Sequence, residues 1–183
     1  MRSADPWLTA SSPYEQAKFR RTLAQLPARV GSALDLGCSV GVLTALLAPR
    51  CERLLAVDFS PTALEHARRR LAGFGQAEVR RAELPRQTPE GPFDAIVCSE
   101  LLYYWSPGLV SEGLRRMEAA LAPGGTLVAV HWRHRDPRRE LDGDRVHAIL
   151  RAETRLSRCG WESSAEYLLD AWRREVGEGE RGG

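Results

Sequence analysis

Apolar positions change their period along this chain, and the changes mark out its elements. Over residues 13–26 (PYEQAKFRRTLAQL), Phe19, Leu23 and Leu26 share one face and Pro13 suits a first turn, so an amphipathic helix is predicted. From residue 32 short apolar runs alternate with helical patterns. Residues 32–37 (SALDLG), 53–58 (RLLAVD), 77–83 (AEVRRAE), 93–99 (FDAIVCS) and 126–132 (TLVAVHW) read as strands, the third being the weakest. Helices are predicted over 40–50, with Val42, Leu43, Leu46 and Leu47 inward, over 60–73, and over 106–121, with Val110, Leu114, Met117 and Leu121 on one face. Ser60 caps the second of these, Pro61 opens it and Gly73 stops it. Residues 122–125 (APGG) predict a turn, 143–157 a further helix and 166–174 one terminal strand. The lead-in SADPWLTASS and the tail VGEGERGG lack periodicity and are expected to be mobile and frayed.

Strands that alternate with helices of this length predict right-handed βαβ crossovers. The expected fold class is therefore α/β: a Rossmann-like, doubly wound, mostly parallel sheet with helices on both faces. Near-continuous apolar strands agree, because such strands are covered on both sides. A length of 183 residues fits a single domain spanning 1–183. After residue 158 little chain remains for an antiparallel C-terminal hairpin, so a shortened C-terminal region is expected, with 166–174 supplying one strand only.

Composition narrows the function classes. A net charge of +2, with 25 of the 26 basic residues arginine and scattered, leaves no concentrated basic face for nucleic acid. Lys18 is the only lysine. Cys38, Cys51, Cys98 and Cys159 form no CxxC pair and have no histidine at ligand spacing, which argues against a zinc site or a disulfide framework, so no metal is expected. No signal-peptide stretch opens MRSADPW and no run approaches a membrane span, so a cytoplasmic protein without membrane partners is expected.

Candidate chemistry gathers where the first strand meets the first helix of the repeat. Gly37-Cys38-Ser39-Val40-Gly41 forms that turn, preceded in the strand by Asp35. Glycines let backbone approach a ligand, and the helix start offers free N–H groups; a plain strand–helix turn is the simpler alternative. A dinucleotide fingerprint wants glycine at the middle position to admit pyrophosphate, and Ser39 stands there. S-adenosylmethionine carries no phosphate, and the acid-x-G-x-x-x-G spacing suits it better. Asp58 closes the second strand, 17 residues after Gly41, where an acid accepts hydrogen bonds from both ribose hydroxyls. Its alternative is a helix cap, a role that Ser60 already fills.

These segments carry a resemblance. Over about residues 30–132 the chain resembles class I S-adenosylmethionine-dependent methyltransferases, and almost end to end it is similar to the nodulation protein S (NodS-like) group. The supporting residues are DPW (5–7), YEQAKFRRTL (14–23), LDLGCSVGVLT (34–44), LLAVDFSPTAL (54–64), CSELLYYW (98–105), VAVHWRH (128–134) and LDGDRVHAIL (141–150). The resemblance implies S-adenosylmethionine as methyl donor and N-methylation of a small-molecule acceptor, an amino-sugar or chitooligosaccharide. The cofactor-binding set it implies is Asp35, Gly37, Cys38, Ser39, Gly41, Asp58, Phe59, Glu83, Leu84 and Ser99, with Glu83 standing one step after Ala82, where the family places its adenine acid. Residues 30–132 would form the cofactor-binding core, 1–28 an N-terminal helix and lid, 133–174 the acceptor side and 175–183 a tail.

On the acceptor side, Glu100, Tyr103 and His131 are the candidate catalytic residues. Glu100 follows the fourth strand and takes the amine proton, or is an exposed acid at a helix start. Tyr103 and Tyr104 wall the site or pack the core; His131 accepts or orients a proton, or is structural. Trp132 stacks a sugar or fills the core. Asp142, Asp144 and His147 reach the mouth, or Asp142 caps a helix and His147 faces solvent. Trp7, Tyr14 and Lys18 belong to a segment expected to close over bound cofactor. Two alternatives stay open: O-methylation of a metabolite hydroxyl or carboxyl, and a non-catalytic module that binds S-adenosylmethionine. The oligomeric state is left open.

Overall fold

A computed structural model describes residues 12–177. Seven strands make one sheet in the order β3-β2-β1-β4-β5-β7-β6. The strands are β1 (Val30–Leu36), β2 (Cys51–Asp58), β3 (Ala77–Arg81), β4 (Phe93–Ser99), β5 (Leu121–Trp132), β6 (Ser157–Ser163) and β7 (Tyr167–Arg173). The first five run parallel; β7 pairs antiparallel with both β5 and β6. The strand order reverses between β1 and β4, and their carboxyl ends form the crevice where open α/β sheets bind ligands. This is the expected Rossmann-like architecture.

Both faces of the sheet are covered. On one side α1 (Pro13–Ala24), α2 (Val42–Leu47) and α3 (Pro61–Leu71) set Phe19, Leu23, Leu43, Leu47 and Leu71 against Ala33, Val97 and Val130. On the other, α4 (Pro107–Ala120) and α5 (Gly143–Glu153) set Val110, Leu114, Met117, Val146 and Leu150 against Leu34, Ile96, Cys98 and Ala129. Alternate residues of one strand therefore serve opposite cores.

Three expectations are corrected. The C-terminal hairpin is complete, since β6 and β7 both form where one strand was expected. The last helix ends at Glu153, short of the expected 157, and Ser157–Ser163 form a strand that the sequence pattern did not predict. APGG does not break the chain into a free turn: β5 begins at Leu121, opposite Phe93, and regains regular pairing at Thr126, with Gly124 at φ +76° between them. Smaller differences fall at element ends, as at α2, where the predicted 40–50 becomes a short helix followed by a 3-10 turn over Ala48–Arg50. Trp7 lies outside the described residues.

Candidate active site

The turn after β1 is built from left-handed residues. Gly37, Ser39 and Gly41 have φ of +75°, +49° and +76°. A side chain on Gly41 would meet the Ala67 backbone at 3.1 Å, so glycine there serves α2–α3 packing as well as the turn. The Gly37 and Cys38 amides both donate to Val57 O, at 2.8 and 3.0 Å, which ties the turn to the end of β2. Cys38 is buried, and burial pushes its thiol pKa up, so it acts as an apolar wall.

Asp58 is held ready at the same edge. Its Oδ2 accepts from the Ser39 amide at 3.0 Å and its Oδ1 from the Ser60 amide at 2.9 Å. One lone pair of each oxygen is fixed by backbone. Phe59, next in sequence, is 67% exposed. Asp35 is buried beneath the turn and accepts from Thr44 Oγ1 at 2.6 Å. Burial raises its pKa to about 6, with the Thr44 hydroxyl opposing and Asp58 adding to the rise.

At the end of β4 the chain makes a second strained turn, in which Glu100 has φ +55°. A non-glycine residue there costs on the order of 1 kcal/mol and needs surrounding contacts to hold it. Three consecutive residues of β5 provide them. Val130 O accepts from the Glu100 amide at 2.9 Å, His131 Nε2 accepts from the Leu102 amide at 3.1 Å, and the Trp132 amide donates to Glu100 Oε2 at 3.0 Å. The Glu100 carboxylate also accepts from Tyr103 Oη at 2.5 Å and from Lys18 Nζ at 2.7 Å. Lys18 is itself buried and pairs with Glu15 at 3.0 Å. The Tyr103 phenol is pushed up by burial and then by Glu100, so it keeps its proton and donates at neutral pH.

One cleft joins these groups: Glu15, Phe19, Asp35, Gly37, Cys38, Ser39, Ser99 and Glu100 all line it. A larger hollow, about 530 Å³, opens at the opposite end of the sheet beside Arg53, Glu78 and Glu90, and no predicted residue reaches it.

Other predicted residues fall elsewhere. His131 does not face the cleft: it is fully buried, and protein groups engage both ring nitrogens. His147 neither faces solvent nor reaches the mouth; it too is fully buried. Asp142 caps α5, accepting from the Arg145 amide at 2.9 Å, and Asp144 pairs with Arg133 on the surface. Glu83 lies past β3, which ends at Arg81, with its side chain 70% exposed and 3.7 Å from Arg81; Leu84 is half-buried beside it. Tyr104 and Trp132 are exposed in part, and Arg139 stacks over Tyr103 and Tyr104 at 4.2 and 4.4 Å. Helix α1 is docked through Lys18, Phe19, Thr22 and Leu23.

Sequence reasoning missed the Lys18–Glu100 pair, Thr44 and Asp170. Asp170 left a signal, being a lone acid inside the apolar run YLLDAW.

A family model for nodulation protein S (NodS) matches residues 1–155. The chain belongs to the nodulation protein S family. It is 34% identical over 127 residues to nodulation protein S of Bradyrhizobium diazoefficiens, covering 68% of this chain and 61% of that one. The chain spans between 53% and 61% of the length of the three NodS relatives it matches. Among solved structures it is similar to the N-methyltransferase NodS of Bradyrhizobium japonicum WM9 in complex with S-adenosyl-L-homocysteine. The two share 27% identity with a TM-score of 0.84, over 94% of this chain and 93% of that one. A candidate methyltransferase from Pseudomonas syringae is 41% identical with a TM-score of 0.78, over 88% of this chain and 99% of that one.

Proposed function

We propose that this protein transfers the methyl group of S-adenosylmethionine to the amine of a small-molecule acceptor, an amino-sugar or oligosaccharide being the favoured class. The observation that carries the proposal is the Glu100 carboxylate. It is caged at the β4 edge by Lys18, Tyr103 and the Trp132 amide, in the same cleft as the Gly37–Gly41 turn.

The donor set fits the cofactor. Asp58 has lone pairs free for two ribose hydroxyls, and Phe59 and Leu84 offer apolar surface to adenine, with Glu83 at its edge. Asp35, Gly37, Cys38, Ser39, Gly41 and Ser99 floor the remainder. Glu15, Asp35 and Glu100 line this cleft, with Lys18 the cation paired to Glu15 and Glu100, so the site favours a cationic donor over its neutral demethylated product. The NodS relative solved with S-adenosyl-L-homocysteine supports the same assignment.

When bound, the cofactor supplies a sulfonium-activated methyl and a neutral thioether as leaving group. The acceptor nitrogen must present a lone pair, so a proton has to leave it. Glu100 takes that proton as the N–C bond forms and the C–S bond breaks, and releases it to solvent afterwards. Tyr103 and the Trp132 amide fix the carboxylate's direction throughout. Holding the reacting atoms in line supplies ~7–11 kcal/mol of barrier lowering, and positioned proton transfer adds ~10²–10⁴-fold.

Glu100→Gln is expected to bind S-adenosylhomocysteine as wild type does while losing roughly 10²-fold or more in turnover of an amine acceptor. A screen over amino-sugars, deacetylated chitooligomers, hydroxy acids and polycarboxylates reads the acceptor class. Turnover of hydroxyl or carboxyl acceptors alone, or full activity in Glu100→Gln, would refute the amine assignment. Cofactor binding without any turnover would make the protein a non-catalytic module.

A further inference from the structure

Behind the Glu100 turn lies a row of buried polar groups that the proposed chemistry does not use. His131 on β5, His147 on α5 and Asp170 on β7 are all fully buried. His131 Nδ1 lies 3.2 Å from His147 Nε2, and His147 Nδ1 lies 2.6 Å from Asp170 Oδ2. Asp170 Oδ2 also accepts from Arg151 Nε at 2.8 Å, and its Oδ1 lies 2.8 Å from Arg158, both arginines reaching in from the surface.

We infer that His131, His147 and Asp170 form a one-way hydrogen-bond chain that positions the Glu100–Leu102 turn, making all three positioning residues for the acceptor-side carboxylate. The inference rests on Glu100 facing the acceptor, as proposed above.

Donor and acceptor accounting fixes the direction. Leu102 can only donate through its amide, so His131 Nε2 must be unprotonated and its proton must sit on Nδ1. That proton needs an acceptor, which makes His147 Nε2 unprotonated in turn and puts the His147 proton on Nδ1. Asp170 accepts it as a carboxylate. Each bond in the row then has one donor and one acceptor, with both rings neutral. Burial, the leading cause in each case, lowers both histidine pKa values, for His131 with help from His147; the Asp170 bond opposes the fall at His147. Reversing any one tautomer would set two N–H groups against each other at Leu102 or between the rings.

The arrangement reaches the site because His131 stands between two residues that also grip the turn. Val130 holds the Glu100 amide and Trp132 holds its carboxylate. His131 contributes the only side-chain contact among the three, and its acceptor state is set from β7. Close approach of α5 to β5 makes the row possible: a Cβ on Gly143 would lie 2.4 Å from Trp132 O.

The test combines NMR of isotope-labelled imidazoles with kinetics on His147→Phe and His147→Gln. Wild type should show both rings neutral in the Nδ1–H form at neutral pH. His147→Phe should shift the Glu100 and Leu102 amide resonances. It should also lower kcat on an amine acceptor by roughly tenfold to a hundredfold, with cofactor affinity within about twofold of wild type. His147→Gln, whose amide oxygen can accept from His131, should restore most of both, and it carries the test if the phenylalanine variant does not fold. An Nε2–H tautomer at His131, or unmoved Glu100 and Leu102 amides in a folded variant, would overturn the inference. A wild type that methylates no amine would refute the proposed function instead, and the NMR measurements would still decide this one.

Discussion

Asp35 shows what a buried acid beneath the glycine turn does to stability. Its carboxyl is buried with one hydroxyl to hold it, and its pKa rises from 3.8 to about 6. A raised acid pKa means that the folded state holds the proton more tightly than the unfolded chain. The stabilising contribution is therefore whole below about pH 4 and is lost as pH climbs through about 6. Asp35→Asn keeps an acceptor for Thr44 and cannot ionise. Its stability relative to wild type should improve by roughly 2–3 kcal/mol between about pH 4 and pH 7, measured by urea unfolding at both. A difference independent of pH would sink this account. Asp58→Ala is expected to weaken S-adenosylhomocysteine binding at least tenfold by calorimetry, and unchanged affinity would remove Asp58 from the ribose role. The positions of Asp58 and Glu100 at the carboxyl edge could be read from the sequence because Asp58 ends the apolar run of β2 and Glu100 directly follows that of β4. His131 was placed at the right edge but given the wrong outlook. The alternation of VAVHW shows which face it takes, but not that α5, arriving later in the chain, covers that face with His147.

Elements carry the site through a few close contacts. Helix α1 is fixed to the Glu100 turn by Lys18, 2% exposed and bridging Glu15 and Glu100. Both carboxylates keep some solvent, so Lys18→Met should cost only about 1–2 kcal/mol, below the full penalty for breaking a buried pair. A midpoint unchanged in thermal or urea unfolding would show that α1 docks through Phe19 and Leu23 alone. Gly143→Ala drives a methyl into the Trp132 carbonyl, which as backbone cannot rotate away. A cost of about 1–3 kcal/mol is expected from this overpacking, with α5 displaced from β5. Helix types and the first five strands were readable because amphipathic periods and continuous apolar runs are strong signals. β6 was not: SRCGWES lies at the sheet edge, pairs only with β7 among the described residues and buries no side chain fully, so it has no apolar face. The predicted helix of 143–157 stopped where β6 begins, residues 158–165 carried no assignment, and the hairpin was read as a single strand.

At the scale of the molecule, the strand order brings together four groups far apart in sequence. The turns after β1, β2 and β4 share an edge with α1, so Asp35 and Glu100 line one cleft, with Lys18 paired to Glu100 and Asp58 tied to the Ser39 amide beside it. The sheet architecture and the glycine turn followed from pattern and spacing. The Lys18–Glu100 contact did not, because it depends on where α1 crosses the sheet, and no local spacing encodes that crossing. Among the described residues no helix is long and apolar enough to cross a membrane. The central claim is methyl transfer to an amine at the Glu100 edge. Mass spectrometry of deacetylated chitooligomers incubated with the protein and S-adenosylmethionine tests it most directly. The account predicts a product heavier by one methyl group, located on nitrogen and lost in Glu100→Gln. Unchanged oligomers and unchanged amines across the acceptor screen, from protein shown to bind the cofactor, would contradict it.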